Sequence, residues 1–485
     1  MAAIFFTASH NRGFASPETP TAAESQTDTY IRHNPSIENS GAELAETADY
    51  PFLKLKANHI DMNGHSWHGL THKLDNIRHH KTSDNFTIVH IGDSHIQADG
   101  NTGRIRKNLQ KSYGDAGRGL MAPLRIAGTN QPLDYKLTTD TPVTTATLLK
   151  MPWPVTMGFT GVAARPIGSN ATFHISDQSP FNELRVYSNG PLTVTHVDAG
   201  KSTAIEYTQH EEEWGTCLKL DRHVQQLTVT LKGNGMIVYG FDARNTDVPG
   251  VLYHSIGNNG ATYSTYSLIG NFGQGIAALS PDLVILSLGS NEAFGKISDQ
   301  TFYNNIEALV KEIKEYCPDA EILLTTPSEC QRSVYTRTKK RRKRRRVVST
   351  RTYQTNANIP RLREVIKRYG QENGVPVYDF YEVSGGAGSS SKWLQNRLLS
   401  TDRIHRTWNG YYLEGNLMYN ALYKALTGKS IPENIRKEEQ DAVKKYPDDK
   451  SEKVSVTQKP AKVKKKAVKR KKAPARKKTR KKRRK

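Results

Sequence analysis

Three residues of this sequence have the side chains and spacing that acyl transfer requires. Ser94 follows the apolar run IVHIGD, and Asp402 and His405 stand three positions apart in TDRIHRTW. A serine hydroxyl becomes a nucleophile when a histidine accepts its proton, and that histidine needs an acidic partner to orient its ring. Structural interpretations compete with this one, because Ser94 and Asp402 are also good helix caps and His405 is one of sixteen histidines.

Such a nucleophile also needs donors for the negative charge that develops on the attacked oxygen. Asn291 lies in the GSNE turn after LVILSLG, so its amide would project from a strand end. Gly260, in HSIGNNGATYSTY, lets a backbone N–H approach the substrate because it has no Cβ, and Gly257 is a nearby alternative. For both Asn291 and Gly260 an ordinary turn residue is the competing interpretation.

The elements around these residues predict an α/β fold. FTIVHIGDS reads as a buried strand that ends in a tight turn, and RIRKNLQKSYG can form a helix after it. Further apolar strands are predicted at 282–290, 320–327 and 375–380, with helices near 301–316, 356–372 and 409–426. Apolar strands that alternate with helices indicate a parallel sheet covered on both faces. Ser94 and Asn291 then lie at its carboxyl edge, where ligands bind.

The segment 131–248 has a different pattern. Its short alternating segments, such as FHISD, NELRVYS and PLTVTHVD, are separated by Gly, Asn, Asp and Pro, which indicates an inserted antiparallel β-sandwich. The α/β domain is therefore expected to be discontinuous, spanning 51–130 and 249–430. Residues 1–50 have the composition of a disordered leader or a trimmed signal remnant, and residues 431–485 form a disordered, Lys/Arg-rich tail.

The positive charge is concentrated in two segments. The 485-residue chain has a formal net charge of +23, but Lys459–Lys485 contains 18 Lys or Arg and Lys339–Arg346 contains another 8. The rest of the chain is close to neutral. Both segments are candidates for salt-sensitive contact with polyanions, and Lys339–Arg346 is expected to be a surface loop. Lys459–Lys485 has no aromatic residue to stack on bases, so specific nucleic-acid recognition is not expected.

Cysteine content and hydropathy limit other functions. Cys217, Cys317 and Cys330 are too few and too dispersed for a disulfide scaffold or a zinc site, although a single Cys317–Cys330 bridge stays open. No metal or cofactor is expected. No run approaches the roughly 20 apolar residues needed to span a bilayer.

Taken together, the motifs resemble those of the SGNH/GDSL hydrolases. The order GDS(H), Asn-x-Gly, Gly-x-Asn-Glu and Asp-x-x-His maps the four name-giving residues onto Ser94, Gly260, Asn291 and His405, with Asp402 completing the triad. The resemblance implies a three-layer α/β/α fold with a flavodoxin-like parallel sheet and ester hydrolysis through an acyl-enzyme, without a metal. It also implies that the Ser94 and Gly260 amides and the Asn291 side chain bind the oxyanion.

A narrower resemblance is carried by GDSHIQADG, YGDAGRGL and the β-rich insertion. These are similar to bacterial peptidoglycan O-acetylesterases whose hydrolase domain is interrupted by a module resembling a carbohydrate-binding module. The implied substrate is an O-acetylated glycan of the cell envelope, and the implied location is the bacterial periplasm or envelope. Two alternatives stay open: a noncatalytic glycan- or polyanion-binding protein on a hydrolase scaffold, and an O-acetyltransferase with the same triad. Trp153, Trp393 and Trp408 can stack on sugars or fill core positions.

Overall fold

The computed structural model describes residues 50–200, 203–340 and 346–429. Residues 1–49 of the predicted leader and the whole of the predicted tail, including Lys459–Lys485, lie outside the described residues.

Strands and helices are numbered here in chain order. The strands are β1 (Ile60–Asp61), β2 (Phe86–Gly92), β3 (Gly119–Met121), β4 (Tyr135–Thr139), β5 (Val143–Thr147), β6 (Val162–Pro166), β7 (Asn170–Ser188), β8 (Thr193–Ala199), β9 (Thr203–Ala204), β10 (Tyr207–Glu212), β11 (Gly215–Lys232), β12 (Val238–Arg244), β13 (Val251–Gly257), β14 (Leu283–Ser287), β15 (Glu321–Thr325), β16 (Gln331–Lys340), β17 (Arg346–Thr355) and β18 (Val377–Tyr378). The α-helices are α1 (His68–Arg78), α2 (Ser94–Gln97), α3 (Gly100–Tyr113), α4 (Tyr263–Tyr266), α5 (Phe272–Ala277), α6 (Asp299–Tyr316), α7 (Asn358–Asn373), α8 (Phe380–Val383), α9 (Ser389–Gln395) and α10 (Trp408–Thr427). Short 3-10 turns cover Leu55–Ala57 and Glu292–Phe294.

The central sheet has six strands in the order β1-β18-β15-β14-β2-β13. β13, β2, β14, β15 and β18 are mutually parallel, and the short edge strand β1 is antiparallel to β18. All seven residues of β2 are buried, as expected for a central parallel strand covered on both faces. The predicted parallel α/β sheet is confirmed.

Two layers of helices cover this sheet. Ile88 of β2 packs in one apolar cluster with residues of α1, α3 and α10, whereas Val89, the next residue, packs in a second cluster with residues of α5, α6 and α7. Neighbouring residues of a strand point to opposite faces, so β2 contributes to both layers of core. The architecture is therefore α/β/α.

The inserted strands β3–β12 form one ten-stranded antiparallel sheet. The β-rich insertion is confirmed. Its strands are longer than the sequence pattern predicts, and they begin and end at other residues. FHISD and NELRVYS belong to one 19-residue strand, β7, and β11 has 18 residues. β7 and β11 pair with each other on both sides of the positions predicted as breaks, and two register shifts between Lys219 and Gln226 absorb the irregularity.

The ends of the predicted surface loop at Lys339–Arg346 are extended strand, because Lys339 and Lys340 belong to β16 and Arg346 to β17, whereas residues 341–345 lie outside the described residues. β16 and β17 pair in ten successive positions from Gln331↔Thr355 to Lys340↔Arg346. The flanking sequences RSVYTRT and VVSTRTYQT are rich in β-branched and aromatic residues, which favour extended strands over an irregular loop.

Three further findings bear on the sequence predictions. Cys217, Cys317 and Cys330 are all buried free thiols, so the open question of a Cys317–Cys330 bridge is answered in the negative. Within the described part of the chain, no cluster of three or more His, Cys, Asp or Glu is arranged to hold a metal ion. Among those same residues, no helix has the length and apolarity to cross a membrane.

Candidate active site

Ser94 lies at the carboxyl end of β2, as the first residue of α2. Gly92 makes the sharp turn feasible, since a Cβ at this position would lie 2.8 Å from the Ser287 carbonyl oxygen. Asp93 caps the short helix, because its Oδ1 accepts a hydrogen bond from the His95 N–H at 2.9 Å. The turn therefore fixes the Ser94 hydroxyl at the sheet edge, with only 8% of the residue exposed.

Asp402 and His405 occupy a turn that directly precedes α10. Asp402 Oδ1 accepts hydrogen bonds from the backbone N–H groups of Ile404 and His405 at 2.9 and 3.0 Å. Arg403, between them, has a positive φ of 66°, which tightens the turn. Thr407 then caps α10 by accepting the Gly410 N–H. The turn is thus held by its own carboxylate rather than by the helix.

These two segments bring the three predicted triad residues together. Ser94 Oγ lies 2.8 Å from His405 Nε2, and His405 Nδ1 lies 2.7 Å from Asp402 Oδ2. Burial raises the pKa of Asp402, but the His405 hydrogen bond and charge and the two backbone N–H groups outweigh it and bring the pKa to about 2. An ionised carboxylate only accepts, so Nδ1–H donates to Asp402 and Nε2 is left to accept the Ser94 proton. This is the arrangement that nucleophilic acyl transfer needs.

Two backbone N–H groups near Ser94 have no hydrogen-bond partner among the described residues. One belongs to Ser94 itself, at the start of α2, and the other to Gly260, which has a φ of 78°. The Gly260 loop lies against the nucleophile turn, because the Asn258 N–H donates to the Gly92 carbonyl at 3.3 Å. A residue with this φ is strained unless it is glycine. Both amides are available for an external acceptor.

Asn291 joins the same two segments through its side chain. Its Nδ2 donates to Asp93 Oδ2 at 3.3 Å and to the Ala261 carbonyl at 2.9 Å. In this state its two hydrogens are engaged, one of them in a long bond that an incoming oxyanion can replace. Asn291 therefore lies where the sequence places it, bridging the Ser94 turn and the Gly260 loop.

Gly257, the alternative to Gly260, serves packing. It is the last residue of β13, and a Cβ there would lie 2.0 Å from the backbone nitrogen of Gln97. Gly257 is needed so that α2 can approach the strand.

A side-chain clamp that the sequence reading missed fixes the Gly260 loop. Gln97 Oε1 accepts the Asn259 N–H at 2.7 Å, and Gln97 Nε2 donates to the Asn130 carbonyl at 2.8 Å. Asn259 Nδ2 also donates to Asn130 Oδ1 at 2.8 Å. Gln97 is within GDSHIQ, but Asn130 is separated from it by 33 residues and only the tertiary fold brings the three amides together. Asn259, the residue before Gly260, is thus held through both its backbone N–H and its side-chain amide.

Two buried carboxyl groups next to the motif residues were also missed. Burial raises the pKa of Asp93 to about 6 and that of Glu292 to about 7, against the opposing hydrogen bonds from backbone N–H groups. Glu292 accepts the N–H groups of Tyr263 and Gly289 at 2.9 and 3.1 Å, so it ties the Asn291 turn to α4. In the sequence, these two carboxyl residues could have been found from their positions next to Ser94 and Asn291.

His95 packs behind the triad. Its ring centroid is 5.3 Å from that of His405, and Tyr411 Oη lies 3.2 Å from its Nδ1. Burial lowers the pKa of His95 well below its usual value, with the neighbouring His405 and Arg406 charges acting in the same direction, so the ring stays neutral beside His405. It also lines a cavity of about 40 Å³ together with Asp93 and Glu414. That volume is sufficient for one or two water molecules.

The three tryptophans occupy different environments. Trp393 is 2% exposed and its indole N–H donates to the Ser384 carbonyl, so it is a core residue. Trp153 is half-buried and its indole N–H donates to the Leu148 carbonyl. Trp408 is also half-buried and packs beside Tyr411 and Tyr412, near the triad turn.

Comparison with known proteins gives a match to a protein-family model. Residues 233–413 match the model of the GDSL-like lipase/acylhydrolase family. The match includes Gly260, Asn291, Asp402 and His405, whereas Ser94 lies ahead of it, across the inserted strands. No curated protein sequence matches the chain.

A solved structure shares the fold of this chain. A peptidoglycan O-acetylesterase superposes with a TM-score of 0.59 at 21% identity, covering 76% of this chain and 99% of that one. A lipase/acylhydrolase from Enterococcus faecalis matches at 23% identity over 36% of this chain and 75% of its own, with a TM-score of 0.25. The first alignment extends beyond the family-model region, and it identifies the fold. Residues 233–413 are therefore similar to a GDSL-like lipase/acylhydrolase domain, and the fold of the chain resembles that of a peptidoglycan O-acetylesterase.

Proposed function

We propose that this protein is a serine esterase that removes O-acetyl groups from a glycan of the bacterial cell envelope, with peptidoglycan as the substrate. The observation that carries the proposal is the Ser94–His405–Asp402 chain of hydrogen bonds, 2.8 and 2.7 Å long, beside two unpartnered amides. Support for the substrate comes from the likeness in fold to a peptidoglycan O-acetylesterase, whose whole length aligns with this chain.

The proposed reaction begins with attack of Ser94 Oγ on the acetyl carbonyl carbon, while His405 Nε2 takes the hydroxyl proton. The resulting oxyanion accepts hydrogen bonds from the Ser94 and Gly260 N–H groups, and from Asn291 once its amide releases Asp93. Asp402 stabilises the imidazolium that forms. The C–O bond to the sugar then breaks, and His405 returns the proton to the leaving sugar oxygen.

A water molecule completes the cycle. His405 removes one of its protons while its oxygen attacks the acetyl-Ser94 ester, and the second collapse releases acetate and restores the serine hydroxyl. No group beyond the triad and the amide donors takes part in these steps. If a sugar hydroxyl replaced water in this half, the same residues would catalyse acetyl transfer.

Acetate release tests the proposal directly. Purified full-length protein should release acetate from O-acetylated peptidoglycan, and Ser94→Ala should lower kcat by at least ~10⁴-fold, because the nucleophile is lost. Ser267→Ala, at an exposed helix-flanking serine, is the matched control and should keep full activity. Undiminished release by Ser94→Ala would refute the assignment of the nucleophile.

Substrate class requires a second comparison. O-acetylated peptidoglycan, acetylated xylan and p-nitrophenyl acetate should be compared by kcat/KM, with peptidoglycan preferred over xylan. Preference for xylan would keep the esterase and overturn the peptidoglycan assignment. Measuring acetyl-sugar product against acetate, with an added acetyl donor, separates transfer from hydrolysis.

A further inference from the structure

Asn130, in the segment between β3 and β4, has a side-chain amide that is used at one end only. Its Oδ1 accepts hydrogen bonds from Gln97 Nε2 and Asn259 Nδ2, both at 2.8 Å, and from the Thr129 hydroxyl at 3.4 Å. Its Nδ2 donates to no residue of the part of the chain that the structure describes. Two N–H groups are therefore left for water or for a ligand.

The orientation of the Asn130 amide is set by its neighbours. The Asn259 backbone N–H can only donate, so the Gln97 atom that accepts it at 2.7 Å must be Oε1. Gln97 Nε2 then faces Asn130 and can only donate, which requires Oδ1 of Asn130 at that position. The backbone beside it is held as well, since the Thr129 N–H donates to the Leu124 carbonyl at 3.0 Å. The free end of the amide is thus fixed as a donor.

This free donor is accessible and lies next to the segments that carry the reacting groups. Asn259 Oδ1 also lacks a partner, but it is buried, whereas Asn130 Nδ2 is not. Asn259 directly precedes Gly260, and Gln97 is the last residue of α2, which begins at Ser94. A donor that is already oriented loses little freedom when it binds, so it contributes efficiently to recognition of a substrate.

The surroundings of the donor favour an uncharged acceptor. The side chains that contact the Asn130 amide, those of Gln97, Thr129 and Asn259, are all neutral. A carboxylate or phosphate would lose its hydration there without gaining an opposite charge. A carbonyl oxygen, in contrast, accepts amide N–H groups without carrying a proton of its own. The acetamido group that distinguishes an N-acetylated amino sugar from a plain hexose presents such a carbonyl.

We propose that Asn130 is a specificity-determining residue whose Nδ2 donates to the acetamido carbonyl of an amino sugar in the substrate, while the ester of that substrate is held at Ser94. The inference rests on the proposed function. It names N-acetylated amino sugars as the class of glycan that the site prefers over plain hexoses.

Two matched trisaccharides test this assignment. Tri-N-acetylchitotriose and cellotriose have the same β-1,4-linked rings, but carbon 2 carries an acetamido group in the first and a hydroxyl in the second. The full-length protein should release acetate from the O-acetylated forms of both sugars. Its kcat/KM should be about tenfold higher for the N-acetylated substrate, which is the gain expected from one or two neutral hydrogen bonds.

Replacing Asn130 should remove this preference. Asn130→Asp keeps the Oδ1 acceptor for Gln97 and Asn259 but exchanges the donor for a second acceptor, so the ratio of the two kcat/KM values should fall below about twofold. Asn130→Ala should lower the ratio equally, and it controls for the added charge. Asn304→Asp is the matched control that should keep the full ratio, because this exposed asparagine of α6 also accepts a side-chain amide through Oδ1, from Gln300 Nε2 at 2.8 Å.

Binding separates this proposal from the esterase. In the Ser94→Ala protein, which cannot turn over the ester, Kd should be about tenfold lower for tri-N-acetylchitotriose than for cellotriose, and adding Asn130→Asp should remove the difference. The proposal is overturned by a ratio near one in the parent protein, by a ratio that persists in both Asn130 variants, or by a protein that neither binds nor hydrolyses either sugar. A protein that shows the Kd difference but releases no acetate would refute the esterase and leave the role of Asn130 standing.

Discussion

Replacing Asp402 with asparagine probes the charge and the orientation of the triad separately from the fold of its turn. In Asp402→Asn, Oδ1 can still accept the Ile404 and His405 N–H groups that hold the turn. The amide nitrogen, however, would replace Oδ2 beside His405 Nδ1, and it donates rather than accepts. His405 must then carry its proton on Nε2, facing Ser94, where a proton acceptor is required.

The loss of activity expected for Asp402→Asn has two causes, the lost charge and the wrong histidine tautomer. The pKa of Asp402 is about 2 against its usual 3.8, because the His405 and backbone contacts outweigh burial, and this difference corresponds to ~2 kcal/mol in favour of the charged form. That interaction is present in the resting enzyme, so its loss slows the reaction only by the amount that it strengthens when the imidazolium forms. For triads of this geometry, loss of the carboxylate together with the wrong tautomer lowers kcat by ~10⁴-fold, or ~5 kcal/mol.

The assay is the pre-steady-state release of p-nitrophenol, which reports acylation of Ser94, together with denaturant unfolding at pH 7. Unfolding should show a loss of ~2 kcal/mol, since the lowered pKa contributes stability above pH 4 and is lost only as the pH falls towards 2. Asp198→Asn is a matched control, because Asp198 lies 2.8 Å from His196 in a similar pair on the inserted sheet. A fall of less than tenfold in acylation would refute the proposed role of Asp402.

The remaining predictions concern the Gly260 loop, the Asn291 side chain and the buried Glu292 carboxyl group. Gln97→Ala should lower kcat on p-nitrophenyl acetate by up to ~10²-fold with little change in KM, because the clamp on the residue before Gly260 is lost; a change in KM alone would contradict it. Asn291→Ala should lower kcat by ~10²-fold through loss of a donor, whereas a fall below fivefold would leave Asn291 a structural bridge only. Glu292 has a pKa raised by burial to about 7, so the folded protein retains a proton that the unfolded chain releases from about pH 4.5 upward. The unfolding free energy should therefore fall by up to ~3 kcal/mol between pH 5 and pH 8, and Glu292→Gln, measured by denaturant unfolding, should remove most of this dependence; an unchanged pH slope would contradict it.

Much of the hydrolase fold could be predicted from the sequence. β2 and β14 are continuous apolar runs. Because predicted helices flank IVHI and LVIL, these runs indicate strands that are buried on both faces. The proximity of Ser94, Asp402 and His405 was predictable for a different reason, since the segments GDS and DRIH match the motif order of the SGNH/GDSL hydrolases. Neither inference depended on a distant contact.

Other features depended on tertiary structure. β7 runs through SDQSP, which was expected to be a turn, because β4 and β11 pair with Ser176 at its start and β11 pairs again with Phe181 just after it. The Gln97–Asn259–Asn130 clamp has no local periodicity, since its members come from three separate segments. Asn291 was predicted as an oxyanion donor, but its present contacts with Asp93 and Ala261 could not be read from the sequence.

The inserted strands share their interior with the hydrolase sheet. Phe159, in the segment before β6, and Tyr239 of β12 belong to the same apolar cluster as Val89 and Ile91 of β2. Gly275 of α5 packs so closely on Phe159 that a Cβ would lie 2.3 Å from that side chain. Removing the insertion would therefore expose part of the core beneath the nucleophile strand, at ~25 cal/mol for each Å² of apolar surface.

Ion pairs also join the segment that leads into the insertion to Asp99, which follows α2. Asp99, five residues after Ser94, is buried and accepts hydrogen bonds from Arg106 and Arg118, and both arginines also bind Asp134, the residue before β4. Breaking one member of such a buried cluster leaves an uncompensated charge, which typically costs 3–5 kcal/mol. Shared core and shared charge therefore make the insertion a structural support of the Ser94 turn.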